Sequence, residues 1–266
     1  MNPCETETVA TDGTNTLSQR MVIKIGGNEI DDPDFLTRLT SLVGKMPLPP
    51  VLVHGGGKEI TELQDRLGIR ARKIEGLRVT DADSLRVTEM VLSGLVNKRL
   101  VRMMVQAGIQ AIGISGVDAH LLQAEKISLP SGADVGFVGI ITAVHVSFIK
   151  KLLLSGFLPI VSPLSLGKDG QVYNVNADSA AQALAEAMQA ATLVFLTDVP
   201  GVRIGGECLE VLPLADIETY IEQGEITMGM IPKVRAARQA VEKGVGSVII
   251  TNASHFLMGK GTRITL

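Results

Sequence analysis

A lysine interrupts an apolar segment near the start of the chain. In residues 21–27, MVIKIGG, Lys24 stands among β-branched residues typical of a buried strand, and two glycines follow. An ammonium group buried without a partner is costly, because it loses its hydration. Lys24 therefore either reaches outward to solvent or faces an anion at the end of the strand. The glycines favour the anion, since they let backbone amides approach a ligand closely.

A second segment has the same design. Residues 51–58, VLVHGGGK, read as an apolar strand, three glycines and the start of a helix. Backbone N–H groups at such a turn converge on phosphoryl oxygen atoms. Gly56 and Gly57 are therefore candidate anion-binding residues, although a triple glycine can also be a purely structural turn. The spacing matches neither a Walker A motif nor GxGxxG, and His54 is interpreted as a neutral, hydrogen-bonded core histidine without an assigned role.

Two further cations stand at positions that suit an anion. Lys233 lies at the beginning of a helix predicted over residues 231–243, where the helix dipole disfavours a cation unless an anion also binds. Arg78 lies in a small hairpin predicted within residues 70–80. Its planar fork suits a carboxylate, although from the sequence alone a solvated charge is the commoner outcome for both residues.

Alternating polar residues precede an alanine-rich helix predicted over residues 179–189. Asn174 could bind an amide or a carboxylate. Asp178 could cap this helix, or it could pair with Lys24 and Lys233 and place them. The sequence leaves both interpretations open.

Composition excludes several classes of function. The chain has 266 residues, a net charge of -3, no Trp and 3% aromatic residues, which argues against a nucleic-acid surface. Cys4 and Cys208 lack metal-ligand spacing and indicate a reducing compartment. We find neither an apolar run of about 20 residues nor a secretory pattern, so a cytoplasmic location without membrane contact is expected.

Apolar strands alternate with helices along most of the chain. This alternation predicts an α/β protein with a mainly parallel central sheet, with the glycine turns at its carboxyl edge. Residues 1–20 read as a flexible tail. Residues 81–108 read as two helical segments separated around Ser93 and Gly94.

Six motifs occur in the order found in one known family: IKIGG at 23–27, VHGGG at 53–57, GLRVTD at 76–81, NVNAD at 174–178, LTDVPG at 196–201 and GMIPKV at 229–234. They resemble the motifs of the acetylglutamate kinases, within the amino acid kinase family. The resemblance implies a three-layer sandwich in which residues 21–190 bind the amino-acid substrate and residues 191–266 bind ATP. It also implies phosphorylation of the γ-carboxylate of N-acetyl-L-glutamate in arginine biosynthesis, with Mg²⁺ carried by the ATP.

The resemblance further implies roles for individual residues at the phosphoryl group. Lys24 and Lys233 would stabilise the group in transfer, and Asp178 would organise both lysines. Gly27 and Gly56 would donate backbone hydrogen bonds to it. No general base is required, because a carboxylate acceptor has a pKa of about 4 and is already ionised at neutral pH.

Other residues would hold the two substrates. Gly57 would help at the acceptor, and Arg78 and Asn174 would hold its carboxylate and acetylamino parts. Asp198 and Gly201 would lie in the nucleotide half.

Two alternatives and one departure stay open at this stage. The segment GLVNKRL at 94–100 is similar to kinases that act on carrier-protein-linked aminoadipate or glutamate. A non-catalytic nucleotide or oxyanion binder could share the fold. The polar tail lacks the apolar period of the helix that links dimers into hexamers in some family members, so we predict a homodimer.

Overall fold

The computed structural model describes residues 19–227 and 229–266. The tail predicted over residues 1–20 therefore lies outside the described residues, except for its last two. The strands are β1 Met21–Ile25, β2 Val51–His54, β3 Lys73–Ile74, β4 Leu77–Arg78, β5 Ala111–Ser115, β6 Leu122–Lys126, β7 Gly139–Val144, β8 Leu158–Ser162, β9 Leu164–Gly167, β10 Val172–Asn174, β11 Thr192–Leu196, β12 Arg203–Ile204, β13 Glu207–Cys208, β14 Val211–Pro213, β15 Ser247–Thr251 and β16 Thr262–Thr265. The α-helices are α1 Gly27–Ile30, α2 Pro33–Val43, α3 Gly57–Arg66, α4 Ala82–Glu89, α5 Asn97–Gln106, α6 Val146–Leu154, α7 Ala177–Met188, α8 Ile217–Glu222, α9 Ile231–Glu242 and α10 Ala253–Leu257.

An eight-stranded sheet forms the centre of the molecule, in the spatial order β14-β16-β15-β11-β1-β2-β8-β5. Strands from β15 to β5 pair in parallel, whereas β16 is antiparallel to β15 and β14 runs with β16. Because parallel strands end at the same edge of a sheet, the loops after β1, β2 and β11 lie together. The predicted α/β fold with a mainly parallel sheet is confirmed.

Helices cover both faces of this sheet, because successive strand residues point to opposite sides. In β1, Val22 packs into the core that includes α6, α7 and α9, whereas Ile23 and Ile25 pack into the core that includes α2, α3, α4 and α5. The result is the predicted three-layer sandwich. Lys24 follows Val22 by two residues, so its side chain points to the same face of the sheet, toward α7.

A four-stranded sheet of order β10-β9-β6-β7 and the hairpins β3–β4 and β12–β13 lie outside the main sheet. The hairpin predicted within residues 70–80 is confirmed as β3–β4. Glu75 and Gly76 make its turn with φ of 48° and 80°, the left-handed conformations that a tight two-residue turn needs. The short strands β12, β13 and β14 have no counterpart in the sequence prediction.

Two predicted helix details are wrong. Residues 81–108 contain no break at Gly94: α4 continues through a π-helical turn, Met90–Val96, directly into α5. The buried side chains of this turn hold it against the sheet core, and that packing outweighs the cost of about 1 kcal/mol for a helical glycine. Helix α7 also begins earlier than predicted, because Asn176 rather than Asp178 caps it.

The main sheet is continuous across residue 190, since β1 pairs with both β2 and β11. The division into a substrate-binding lobe and an ATP-binding lobe stays a prediction. Among the described helices, none combines the length and the hydropathy needed to cross a bilayer.

Candidate active site

Two lysines from distant parts of the chain meet at one carboxylate. Lys24 Nζ lies 3.0 Å from Asp178 Oδ1, and Lys233 Nζ lies 3.0 Å from Asp178 Oδ2. Lys233 donates a hydrogen bond to Oδ2, whereas the Lys24 contact is an ion pair outside hydrogen-bond geometry. The side chain of Lys24 is 12% exposed, that of Lys233 is 22% exposed and that of Asp178 is 26% exposed. This lysine–aspartate cluster therefore holds an excess positive charge in a largely desolvated place.

Each member of the cluster comes from a different element. Lys24 lies on β1, the central strand, and Asp178 and Lys233 lie in the first turns of α7 and α9. Asn176 Oδ1 accepts hydrogen bonds from the backbone N–H groups of Asp178 and Ser179, at 2.7 Å and 3.3 Å. Because Asn176 caps α7, the carboxylate of Asp178 is free to pair with the lysines.

The protonation state of Asp178 follows from two opposing effects. Burial by itself would raise the pKa of Asp178, but the ammonium groups of Lys24 and Lys233 more than offset burial, so the pKa lies below its ordinary value. Asp178 is therefore ionised at neutral pH. Its charge compensates Lys233, which the positive end of the α9 dipole would otherwise disfavour.

The triple glycine lies beside the cluster. Gly55 N donates to Ile25 O at 3.1 Å, which ties this loop to the end of β1. Gly56 precedes α3 and lies close to the π-helical turn: an added Cβ would lie 2.8 Å from Leu92 Cδ2 and 3.2 Å from Val96 Cγ2, so these side chains would have to shift. Gly27 begins α1, and only Gly26 separates this helix from β1. Both glycine turns thus bring backbone N–H groups to the same edge of the sheet.

Two adjoining cavities open at this edge. The first, of about 400 Å³, is lined by both lysines of the cluster and by Gly57, Lys58, Glu29 and Asp198. The second, of about 340 Å³, has a mainly apolar surface to which Val199, Val202 and Met230 contribute, and Arg203 and Glu225 also line it. Thr197, Asp198 and Lys233 border both cavities. The site thus joins a charged compartment to an apolar one.

Asp198 and Gly201 occupy the loop after β11. Asp198 is exposed, and its Oδ1 accepts a hydrogen bond from Thr197 Oγ1 at 3.0 Å. A Cβ on Gly201 would lie 2.6 Å from Thr262 Oγ1, so the loop packs tightly on β16 and turns into the apolar cavity.

Arg78 lies on the other side of Gly57. Its Nη2 donates to Gly57 O at 2.9 Å and to Thr61 Oγ1 at 2.8 Å, and its Nη1 donates to Gln64 Oε1 at 2.9 Å. These acceptors are all uncharged, and partial burial lowers the pKa of Arg78. The guanidinium is thus held rigidly without an anionic partner among the described residues.

Asn174 ends β10 near the same hairpin. Its Nδ2 donates to Thr80 Oγ1 at 3.1 Å, and Thr80 Oγ1 in turn donates to Arg78 O at 3.1 Å. The structure therefore connects Asn174 to Arg78 through Thr80.

His54 is part of a buried polar network that supports the glycine loop. Its Nδ1 donates to Gly55 O at 2.8 Å, and Asn97 Nδ2 lies 3.1 Å from its Nε2 and 2.9 Å from Ile160 O. Burial lowers the pKa of His54 to about 4. The interpretation of a neutral core histidine is confirmed, and Asn97 is the supporting residue that the sequence did not reveal.

Sequence reasoning also missed two charged residues of the first cavity, Glu29 and Lys58. Lys58 Nζ lies 2.8 Å from Asp31 Oδ2, although Lys58 stays more than half exposed. Both follow a glycine turn within three residues, a spacing that could have marked them as candidates.

Comparisons with known proteins identify the family of this chain. Residues 19–252 match the model of the amino acid kinase family. The acetylglutamate kinase of Chloroflexus aurantiacus is 46% identical over 245 residues, which cover 92% of this chain and 96% of that enzyme. The acetylglutamate kinase of Roseiflexus sp. strain RS-1 is 48% identical over 244 residues, with 92% of each chain covered. A crystal structure of a Streptococcus mutans protein, 33% identical, has a TM-score of 0.79 and is matched over 92% of this chain and 98% of that one. The chain therefore belongs to the amino acid kinase family.

Proposed function

We propose that this protein is an acetylglutamate kinase, which transfers the γ-phosphoryl group of ATP to the γ-carboxylate of N-acetyl-L-glutamate in arginine biosynthesis. The lysine–aspartate cluster at the carboxyl edge of the sheet, between the two glycine turns, is the observation that carries the proposal. The match to acetylglutamate kinases over nearly their full length supports the choice of acceptor.

The main obstacle to this reaction is charge. An ionised carboxylate must approach a negatively charged phosphoryl group, and no proton has to be removed. Lys24 and Lys233 neutralise the charge that spreads over the phosphoryl oxygens, while Asp178 keeps both ammonium groups in place. A carboxylate oxygen forms a bond to the γ-phosphorus as the bond to the bridging oxygen breaks, giving N-acetylglutamyl phosphate and ADP.

The two cavities suggest where the nucleotide lies. The apolar cavity is suited to the nucleoside, and Asp198 and Gly201 form its inner wall. Lys233 borders both cavities and would meet the phosphates. Mg²⁺ carried by the ATP would supply further positive charge to the phosphates.

The acceptor would lie on the side of the triple glycine. Arg78 would hold the free carboxylate of N-acetyl-L-glutamate, because its guanidinium is immobilised by α3 yet unneutralised. Asn174 would bind the acetylamino group, and Gly56 and Gly57 would direct backbone N–H groups at the reacting end.

The carrier-linked substrate is less well supported, because the polar residues of GLVNKRL have partners inside the chain. Asn97 joins the His54 network, and Lys98 Nζ donates to Gly113 O at 2.9 Å. Arg99 pairs with Glu59 and lies 3.5 Å from Asp31 Oδ1. Packing thus accounts for this motif. A non-catalytic binder would have no need for a complete lysine–aspartate cluster.

Hydroxylamine trapping tests the proposal. With ATP, Mg²⁺ and free N-acetyl-L-glutamate, the protein should yield a hydroxamate from the acyl phosphate, and it should yield far less with L-glutamate or free aminoadipate. Absence of hydroxamate from N-acetyl-L-glutamate, with ATP binding intact, would refute it and favour the carrier-linked or non-catalytic alternative. The homodimer stays a prediction, which light scattering measures directly.

A further inference from the structure

Glu29 is a buried carboxylate that faces the charged cavity, and the transfer step described above gives it no role. Glu29 is 7% exposed, and it lines the cavity together with Lys24 and Lys233. Among residues 19–26, 29–227 and 229–266, no hydrogen bond or ion pair is made to its side chain. The neighbouring acids differ, because Asp178, Asp31 and Glu59 are each paired with lysine or arginine.

A carboxylate at this position should disfavour the binding of phosphates. A negative charge in a cavity that receives phosphates repels them, and burial strengthens the repulsion. This cost is removed if a cation lies between Glu29 and the phosphates when the nucleotide binds.

The Glu29 carboxylate lies at the carboxyl edge of the sheet, where a cation bound to phosphates would be. A Cβ on Gly26 would lie 2.5 Å from Glu29 Oε2 and 3.5 Å from Leu196 O, so glycine lets the carboxylate lie close to the backbone at the carboxyl edge of the sheet. Asp198, two residues beyond Leu196, lines the same cavity. No group of three or more His, Cys, Asp or Glu side chains in the described part of the chain forms a complete metal cage. Proteins usually bind Mg²⁺ with one or two carboxylates together with the phosphates of a substrate.

We propose that Glu29 is the protein's main contact with the Mg²⁺ of the bound nucleotide, directly or through a coordinated water, with Asp198 as a second oxygen donor. The inference rests on the proposed function only in taking ATP with Mg²⁺ as the nucleotide. It makes Glu29 a specificity residue for the metal-loaded form of ATP.

Calorimetric titration of Glu29→Gln with the non-hydrolysable analogue AMP-PNP tests this inference. With Mg²⁺ present, the variant should bind the analogue about tenfold more weakly than the wild type, as expected when a group that orients a metal is lost. With EDTA and no metal, the variant should bind it as tightly as the wild type or more tightly, because a repulsive charge is gone. Glu62→Gln, on the exposed side of α3, is the matched control and should change neither affinity appreciably.

The opposite response of the two titrations distinguishes a metal contact from a structural role. Equal weakening with and without Mg²⁺, or unchanged affinity for the Mg²⁺ form, would overturn the inference. Glu29→Asp, which keeps a carboxylate on a shorter side chain, should recover part of the Mg²⁺-dependent affinity, and failure to do so would also count against it. Because no acceptor is present, the result does not depend on whether N-acetyl-L-glutamate is the substrate.

Discussion

Protonation of the buried His54 should lower the free energy of unfolding of this protein in a defined pH range. Nδ1 donates to Gly55 O, so Nε2 carries the lone pair that faces the amide group of Asn97. The Asn97 amide is oriented by Ile160 O, and its Oδ1 accepts from Lys98 Nζ at 3.2 Å. A second proton on the imidazole would therefore place two N–H groups against each other, in a site without water access.

The magnitude follows from the pKa of His54, which is 6.5 in the unfolded chain and about 4 in the folded one. Between these values the unfolded chain binds more protons than the folded chain, so stability falls as the pH falls. The contribution of His54 is fully present above pH 6.5 and decreases by about 1.4 kcal/mol per pH unit below it. Roughly 3 kcal/mol is lost by the time the pH reaches the folded pKa, a large part of a typical total stability.

Urea unfolding of the wild type and of His54→Asn between pH 7.5 and 4.5 measures this effect. The free energy of unfolding of the variant should depend much less on pH, whatever its absolute value. The window stays above the ordinary pKa of Asp178, whose lowered pKa affects stability only at more acidic pH. His145→Asn, which changes an exposed histidine, should leave the wild-type slope intact. Parallel profiles for the wild type and His54→Asn would show that His54 is not held neutral by its surroundings.

Three further predictions concern the active site. Lys24→Ala and Lys233→Ala should each lower kcat by about 100-fold or more while ATP binding persists, since each removes one charge from the phosphoryl group; unchanged turnover in both would contradict the assigned roles. Asp178→Asn should lower kcat by a similar factor and also reduce the free energy of unfolding by about 2–3 kcal/mol, because two largely buried ammonium groups lose their shared anion. Steady-state kinetics and chemical denaturation measure the two effects. A loss of kcat without destabilisation would argue against the charge-compensating role of Asp178. Arg78→Lys should mainly raise KM for N-acetyl-L-glutamate, by about tenfold, because an ammonium group cannot make the three hydrogen bonds of the planar guanidinium. Arg70→Lys, on the exposed surface, is the control. Equal KM values for Arg78→Lys and the wild type in steady-state kinetics would exclude Arg78 from the acceptor site.

The sequence by itself was sufficient for the local design of this protein. A strand that ends in glycines and continues as a helix is recognised from about ten residues, because strand period, glycine freedom and helix period all act over short distances. That is why the two glycine turns, the β3–β4 hairpin and the parallel α/β class could be predicted. The resemblance to one family came from motifs of the same short range.

Tertiary structure decided which of the two interpretations of Asp178 holds locally, and which residues meet. Asn176 takes the capping position, and only the placement of β1 beside α7 and α9 brings Lys24 and Lys233 to one carboxylate. The continuous helix through Gly94 likewise depends on packing against a sheet formed by distant strands. Glu29 remained unnoticed for the same reason: whether a carboxylate is solvated or buried in a phosphate cavity depends on the strand β11 next to it, which follows more than a hundred residues later in the chain.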